Sequence, residues 1–139
     1  MNHGGRWKFD FGTVKYVYAA HSSVLPDGTY GGNPGGFVVE TAEGNFYFAG
    51  DTALTMDMQL IPLTSAKLDF ALLPIGDNFT MGVDDAIMAS DFIKCDRVIG
   101  LHYDTFGFIK INHAEAMKKF KDKNKELILL KIGQTIDLR

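Results

Sequence analysis

The run LDFALLPIG, residues 68–76, is the feature that most limits the folds open to this chain. It is apolar almost throughout, without polar alternation, and such runs are strands buried on both faces of a parallel or mixed sheet. Parallel neighbours cannot be joined by a tight turn and need a crossover, usually a helix. Helical patterns flank the run on both sides. Upstream, residues 53–63 carry Leu54, Met56, Met58, Leu60 and Ile61 in a short amphipathic helix that Pro62 is expected to close. Downstream, residues 83–94 predict a helix with Asp84 and Asp85 in the first turn, where the macrodipole favours anions, and Val83, Ala86, Ile87, Ser90 and Ile93 as its inner stripe. RVIGL, residues 97–101, is a second buried strand. Asn112, with Glu115 three positions on, resembles a capping box for a lysine-rich helix reaching Asn124 and packed through Ala116, Met117 and Phe120. ELILLKIG and TIDL predict two closing strands.

The first third of the chain reads differently. KFDFGTVKYVYAA, residues 8–20, alternates around a Gly12-Thr13 turn, with Val14, Tyr16 and Tyr18 on one face of a half-buried hairpin. Residues 22–35, SSVLPDGTYGGNPG, form a long loop rich in glycine and proline, and loops of this length in a compact domain are usually functional or mobile. GFVVET and NFYFAG make a second hairpin across Ala42-Glu43-Gly44. Strands first, then helices alternating with strands, predict a layered α/β (α+β) fold in one domain spanning residues 1–139.

Composition excludes several functions. The net charge is −3, and the only basic stretch, residues 118–125, is too small for phosphate-backbone recognition, so no nucleic-acid partner is expected. The single Cys95 rules out an internal disulfide and any zinc site built from cysteines, leaving His, Asp and Glu as metal donors. No run approaches ~18 apolar residues and the start, MNHGGRWKFDFG, lacks the apolar core of a signal peptide. The expectation is a soluble, cytoplasmic protein without a membrane partner.

Three strands finish on a residue able to bind metal: KYVYAA on His21, NFYFAG on Asp51 and RVIGL on His102. In α/β sheets ligands gather beyond the carboxyl ends of strands, where a rigid scaffold meets loops. Two imidazoles and a carboxylate brought together suit a divalent cation such as zinc, manganese or iron. Taken singly, each has a plainer reading. His21 suits a hydrogen-bonded core position beside Ser22 and Ser23, Asp51 a cap for the helix near Ala53, and His102 a surface turn with Tyr103 and Asp104. Recurrence of one pattern at three strand ends favours a site. Asp77 and Asn78, after the buried strand, and Tyr103 are candidate pocket residues; Tyr30, Phe106 and Phe108 are aromatic residues on the loops expected to border it. His3 is expected to be solvated and His113 to lie on the surface of the last helix. No Gly-x-Ser-x-Gly, P-loop or GxGxxG motif is present.

The segments AAHSS, YFAGDTAL, LDFALLPIGDNFTMG and GLHYDTF, in this order, resemble the carboxyl-terminal part of the metallo-β-lactamase superfamily, in its branch of uncharacterised bacterial metal-dependent hydrolases akin to ascorbate-phosphate lactonases. The likeness covers nearly the whole chain, and PIGDNFTMG is its most specific piece. The resemblance implies the carboxyl-terminal portion of a four-layer αββα sandwich with metals at one sheet edge. It implies His21 as a ligand of the first metal, Asp51 as the bridging carboxylate and His102 as a ligand of the second, with Asp51 and His102 catalytic. In the family the metals bring the pKa of a bound water to about 7, so that hydroxide attacks an ester, lactone or phosphodiester of a small-molecule substrate.

The family signature His-x-His-x-Asp-His, which carries the other ligands and lies upstream of these elements, occurs nowhere in this sequence. Met1 is therefore expected to be an internal methionine of a longer ancestor, the start of a truncated gene model, or the end of a proteolysed product. A half sandwich exposes the inner face of its sheet, which predicts homo-oligomers. Three functions follow: a metal-dependent hydrolase impaired by missing ligands, a non-catalytic half-domain acting as an oligomeric or interaction module, and an iron site of two histidines and one carboxylate.

Overall fold

A computed structural model describes residues 1–138. Seven strands form one mixed sheet whose spatial order follows the chain: β1 (Arg6–Phe9), β2 (Gly12–Tyr18), β3 (Gly35–Glu40), β4 (Asn45–Phe48), β5 (Phe70–Pro74), β6 (Arg97–Leu101) and β7 (Glu126–Ile128). β1 to β4 pair antiparallel, and β4 to β7 pair parallel. Each parallel step is made by a helical crossover. A 3₁₀ turn (Met56–Leu60) running into α1 (Ile61–Thr64) joins β4 to β5, α2 (Val83–Phe92) joins β5 to β6, and α3 (His113–Asp122) joins β6 to β7.

All three crossovers lie on one face. The register stacks Val38, Tyr47, Ala71, Val98 and Leu127 across successive strands on that face, and each is buried against Met58, Ile61, Ala86, Ile93, Ala116 and Phe120 from the helices. The opposite face carries Trp7, Val14, Val39, Phe46 and Phe70 in one row, and Tyr16, Phe37, Phe48 and Leu72 in the next. It is open: Trp7 is 63% and Phe48 39% exposed, although Phe46 and Phe70 stack with ring centroids 5.1 Å apart. The run at residues 68–76 is thus buried on its helix side and only half-buried on the other, because a covering layer is not among the described residues.

Both long helices stop short of the limits their sequences predict. Lys94 (φ 53°) and Asn124 (φ 58°) adopt left-handed backbone just past the last turn, and the amides of Cys95 and Lys125 donate back to the carbonyls of Ser90 and Phe120. These are Schellman closures, and they stop α2 and α3 two residues before the expected limits of 94 and 124. Asn112 caps α3, its side-chain oxygen accepting the Glu115 amide at 3.2 Å.

Several local expectations change. The first hairpin turns at Asp10-Phe11, not Gly12-Thr13, because Trp7 pairs with Val14 and Phe9 with Gly12 on the aromatic face. Pro62 opens α1 instead of closing a helix, its missing N–H being harmless in a first turn. TIDL forms no strand: residues 135–138 cross the sheet end as irregular chain, tied by Arg97, whose guanidinium donates to the Leu138 carbonyl at 2.9 Å. No helix among the described residues is long and apolar enough to cross a membrane.

Candidate metal centre

β2 and β4 are both antiparallel to β3 and so run in one direction, which β5 and β6 share. Their carboxyl ends therefore reach the same sheet edge. His21 follows β2 by three residues, Asp51 follows β4 by three, and His102 directly follows β6. An open cavity of about 600 Å³ lies there, lined by Ala20, His21, Ser22, Asp51, Asn78, Phe79, His102 and Phe106. The three strand-end donors are thus brought to one cavity.

The Nε2 of His102 lies 3.7 Å from the Oδ2 of Asp51. The His102 side chain is about one-quarter exposed, and its Nδ1 is buried with no hydrogen-bond partner among the described residues. His21 Nδ1 sits 2.9 Å from the Ser22 carbonyl; as the protonated nitrogen it donates there and leaves Nε2 with a free lone pair, the tautomer a metal ligand needs. Asp51 does not cap a helix, since the following helical turn starts only at Met56. Among the described residues no three His, Cys, Asp or Glu side chains are drawn together as a preformed metal cage. The donor types nevertheless suit a divalent metal: two imidazoles and a carboxylate, each lining the cavity, leave coordination positions open for water or substrate.

Two loops brace the edge. His102 itself has left-handed backbone, φ 52°, as does Asp104, φ 64°, and non-glycine residues hold that conformation only when their surroundings fix it. The Asp104 carboxylate accepts the Ile111 amide at 3.0 Å and pairs with His113 Nε2 at 2.5 Å, and these two bonds hold its carboxyl below the usual range. His113 is therefore an anchor for the turn after His102, not merely a surface residue. Across the edge, Gly76 touches the same turn so closely that a Cβ built on it would lie 2.0 Å from the His102 carbonyl oxygen. PIGDNFTMG owes the first of its two glycines to this contact.

The remaining candidates separate. Asn78 lines the cavity. Asp77 faces a neighbouring cleft with Val83, Asp84, Lys110 and Lys119, and its carboxylate accepts the Asn78 amide. Tyr103 also turns aside, its hydroxyl donating to the Leu130 carbonyl at 3.2 Å while its ring meets His113 edge-on. Phe106 does line the cavity; Tyr30 and Phe108 do not. His3 is not solvated: its Nε2 meets the Pro34 carbonyl at 2.8 Å and its ring stacks on Tyr16, which pins the start of the chain to the loop at residues 22–35. Sequence reasoning missed Phe79, which sits 6.0 Å from Phe106 between ring centroids, and Thr52, which is wholly buried behind Asp51. An exposed-looking threonine between an aspartate and a polar-poor stretch gives no local signal of burial.

A strand-end donor set on a mixed sheet covered by helices on one face is the architecture of one class of metal-binding α/β domains. The model of the β-lactamase superfamily domain matches residues 1–103, and the chain belongs to the metallo-β-lactamase superfamily. A protein named UPF0173 metal-dependent hydrolase from Flavobacterium johnsoniae is 69% identical over 138 residues, covering 99% of this chain and 61% of the relative. One of the same name from Methylacidiphilum infernorum is 55% identical over the same length. Among solved structures, Igni18, a metallo hydrolase from Ignicoccus hospitalis, superposes with a TM-score of 0.85 at 30% identity, covering 98% of this chain and 58% of that one. An isothiocyanate hydrolase from Delia radicum gut bacteria shares the fold at a TM-score of 0.74 and 18% identity. The chain thus spans about three-fifths of the length of these relatives.

Proposed function

We propose that this chain is the carboxyl-terminal part of a metal-dependent hydrolase, and that His21, Asp51 and His102 are its contribution to the metal centre. The observation that carries the reading is the arrival of these three side chains, from three strand ends, at one cavity, with Asp51 and His102 3.7 Å apart. The names of the relatives support a metal-dependent hydrolysis. Zinc fits two imidazoles and a carboxylate best, with manganese and iron as alternatives. When bound, a divalent cation supplies Lewis acidity and an acidified water at neutral pH.

The chain's own side chains do the rest. Asp51 presents a carboxylate oxygen towards His102 and the cavity, His21 is oriented by the hydrogen bond from Nδ1 to the Ser22 carbonyl, which leaves Nε2 as its metal-facing nitrogen, and the Asn78 amide stands where it can orient a substrate carbonyl or phosphoryl oxygen. Phe79 and Phe106 supply an apolar wall, which suits a small ester, lactone or phosphodiester with a hydrocarbon portion. The test is elemental analysis of the purified chain beside His21→Ala, Asp51→Ala and His102→Ala. Near-stoichiometric metal that each substitution removes supports the reading; a metal-free chain whose variants change only in stability refutes it for this chain.

A second reading is favoured by the open sheet face. Trp7, Val39, Phe46, Phe48 and Phe70 form an apolar surface of the kind that soluble monomers rarely leave uncovered. On this reading a second copy of the chain covers that face and the protein acts as an association module. Sedimentation decides it: a concentration-dependent dimer lost in Phe48→Asp supports it, and a monomer at all concentrations sinks it.

A further inference from the structure

β2 and β4 are separated by β3, so their axes lie roughly 9.6 Å apart, two inter-strand spacings. Side chains at their ends would ordinarily stay that far apart. Beyond the start of β3 the two tails nevertheless join directly. The Ala20 amide donates to the Thr52 hydroxyl oxygen at 3.0 Å, and the Ala53 amide donates back to the Ala20 carbonyl at 3.1 Å. The Thr52 hydroxyl in turn donates to the Ala53 carbonyl at 2.8 Å, and the Thr52 carbonyl accepts the Met81 amide at 3.0 Å. One residue with no solvent exposure thus ties the tail bearing His21, the turn bearing Asp51 and the loop bearing Asn78. The approach is tight: a Cβ on Gly36, in the strand between, would fall 2.8 Å from the Ala49 carbonyl oxygen.

We infer that Thr52 is a positioning residue whose hydroxyl fixes His21 relative to Asp51, so that the two donors reach the cavity as one unit. The inference rests on the metal-centre reading above for its purpose, but not for its geometry. A buried hydroxyl that both accepts and donates within one turn holds two backbone segments at fixed spacing, and a metal ligand displaced by more than about 0.2 Å from its bonding distance loses affinity. Serine preserves the hydroxyl. Valine preserves the volume and removes both bonds, leaving the Ala20 amide unpaired in a half-buried position.

The test compares the wild-type chain with Thr52→Ser, Thr52→Val and Ser90→Ala. Ser90 is equally buried, but its hydroxyl donates to the Ile87 carbonyl within α2, so its variant controls for loss of a buried hydroxyl away from the edge. Zinc affinity is read by competition with a chromophoric chelator, and amide exchange at Ala20 and Ala53 is read by NMR on the metal-free chain. Thr52→Val is expected to weaken zinc binding by about 10- to 100-fold and to deprotect both amides. Thr52→Ser should stay within about threefold of wild type with both amides protected, and Ser90→Ala should match wild type in both readouts. Unchanged zinc affinity in Thr52→Val, or deprotection equal in Thr52→Ser, overturns the inference. If the wild-type chain takes up no zinc, the metal-centre reading fails, and exchange alone judges the clasp: deprotection in Thr52→Val but not Thr52→Ser supports it, and protection in both overturns it.

Discussion

Replacing Gly76 by alanine tests the edge where the structure is tightest. The added Cβ would sit 2.0 Å from the His102 carbonyl oxygen, 3.1 Å from its carbonyl carbon and 3.0 Å from the Ile109 Cβ. Ordinary C···O contact begins near about 3.3 Å, so the strand ends must part by about 1.3 Å. The obstacle is backbone, not the tip of a side chain, and cannot rotate away. The adjoining bond from the Ile75 amide to the Leu101 carbonyl, 3.0 Å long, would break or stretch with that movement. Overpacking of this kind costs about 1–3 kcal/mol and the lost bond about 1 kcal/mol more, giving roughly 2–4 kcal/mol in all. In a domain of this size the midpoint of thermal unfolding should fall by on the order of 10 °C. Urea titration gives the direct measure, with the m-value checked for constancy and Gly107→Ala as control, since nothing lies within 4 Å of a Cβ there. The same displacement carries His102 out of ligand range, so zinc affinity should fall at least tenfold. An unfolding free energy for Gly76→Ala within about 0.5 kcal/mol of wild type would refute the reasoning.

Asn112→Ala removes the cap of α3 and should cost about 1 kcal/mol in urea titration, with no effect on metal content. Lys125 is 5% exposed in its side chain and lies 2.8 Å from Asp91 and 2.7 Å from Asp96. Burial pulls its pKa down, but hydrogen bonds to the two carboxylates outweigh it and the net shift is upward from 10.5. Its stabilisation is therefore fully present below pH 10.5 and lost as pH rises through the higher folded value. Because both carboxylates are mostly solvated, Lys125→Met should cost no more than about 1 kcal/mol at pH 7, and the gap between variant and wild type should close above pH 10.5. Burial also pushes the Cys95 thiol up, so a thiol reagent at pH 8 should label it only at the rate of unfolding; rapid stoichiometric labelling would contradict its burial in the core just past α2.

Much of the parallel half was legible because its signals are local. RVIGL is β6 to the residue, the inner stripe of α2 is buried at Ala86, Ile87, Ser90 and Ile93 though only half-buried at Val83, and Asn112 caps α3 through the Glu115 amide. What escaped was set by strand pairing and by contacts between segments, which the apolar pattern does not report. The Asp10-Phe11 turn is fixed by cross-strand pairing of Trp7 with Val14, and Pro62 opens a helix because the chain must first descend through a 3₁₀ turn. His21, Asp51 and His102, the proposed donors, could be picked out because each follows an apolar run, and the fold brings all three to one cavity. The braces could not: Thr52, Gly76 and the pair Asp104 and His113 act between segments that only the fold brings together.

The half-buried state of β5 is where pattern and structure part most instructively. An uninterrupted apolar run states that both faces of a strand are to be covered, and here one face is covered by α2 and the 3₁₀ turn while Phe70 and Leu72 look out among Phe37, Phe46 and Phe48. Two apolar rows run across this face, Trp7, Val14, Val39, Phe46 and Phe70 over β1 to β5 and Tyr16, Phe37, Phe48, Leu72 and Ile99 over β2 to β6, and no local rule for an edge or a solvated face would select them. An apolar face of this kind calls for a cover, and the relatives, of which this chain spans about three-fifths, are long enough to supply one. That cover and the metal centre make separate demands. The three donors stand at the strand ends on scaffolding that the helices already hold, so covering the aromatic face by any means should raise stability without altering the spacing of Asp51 and His102.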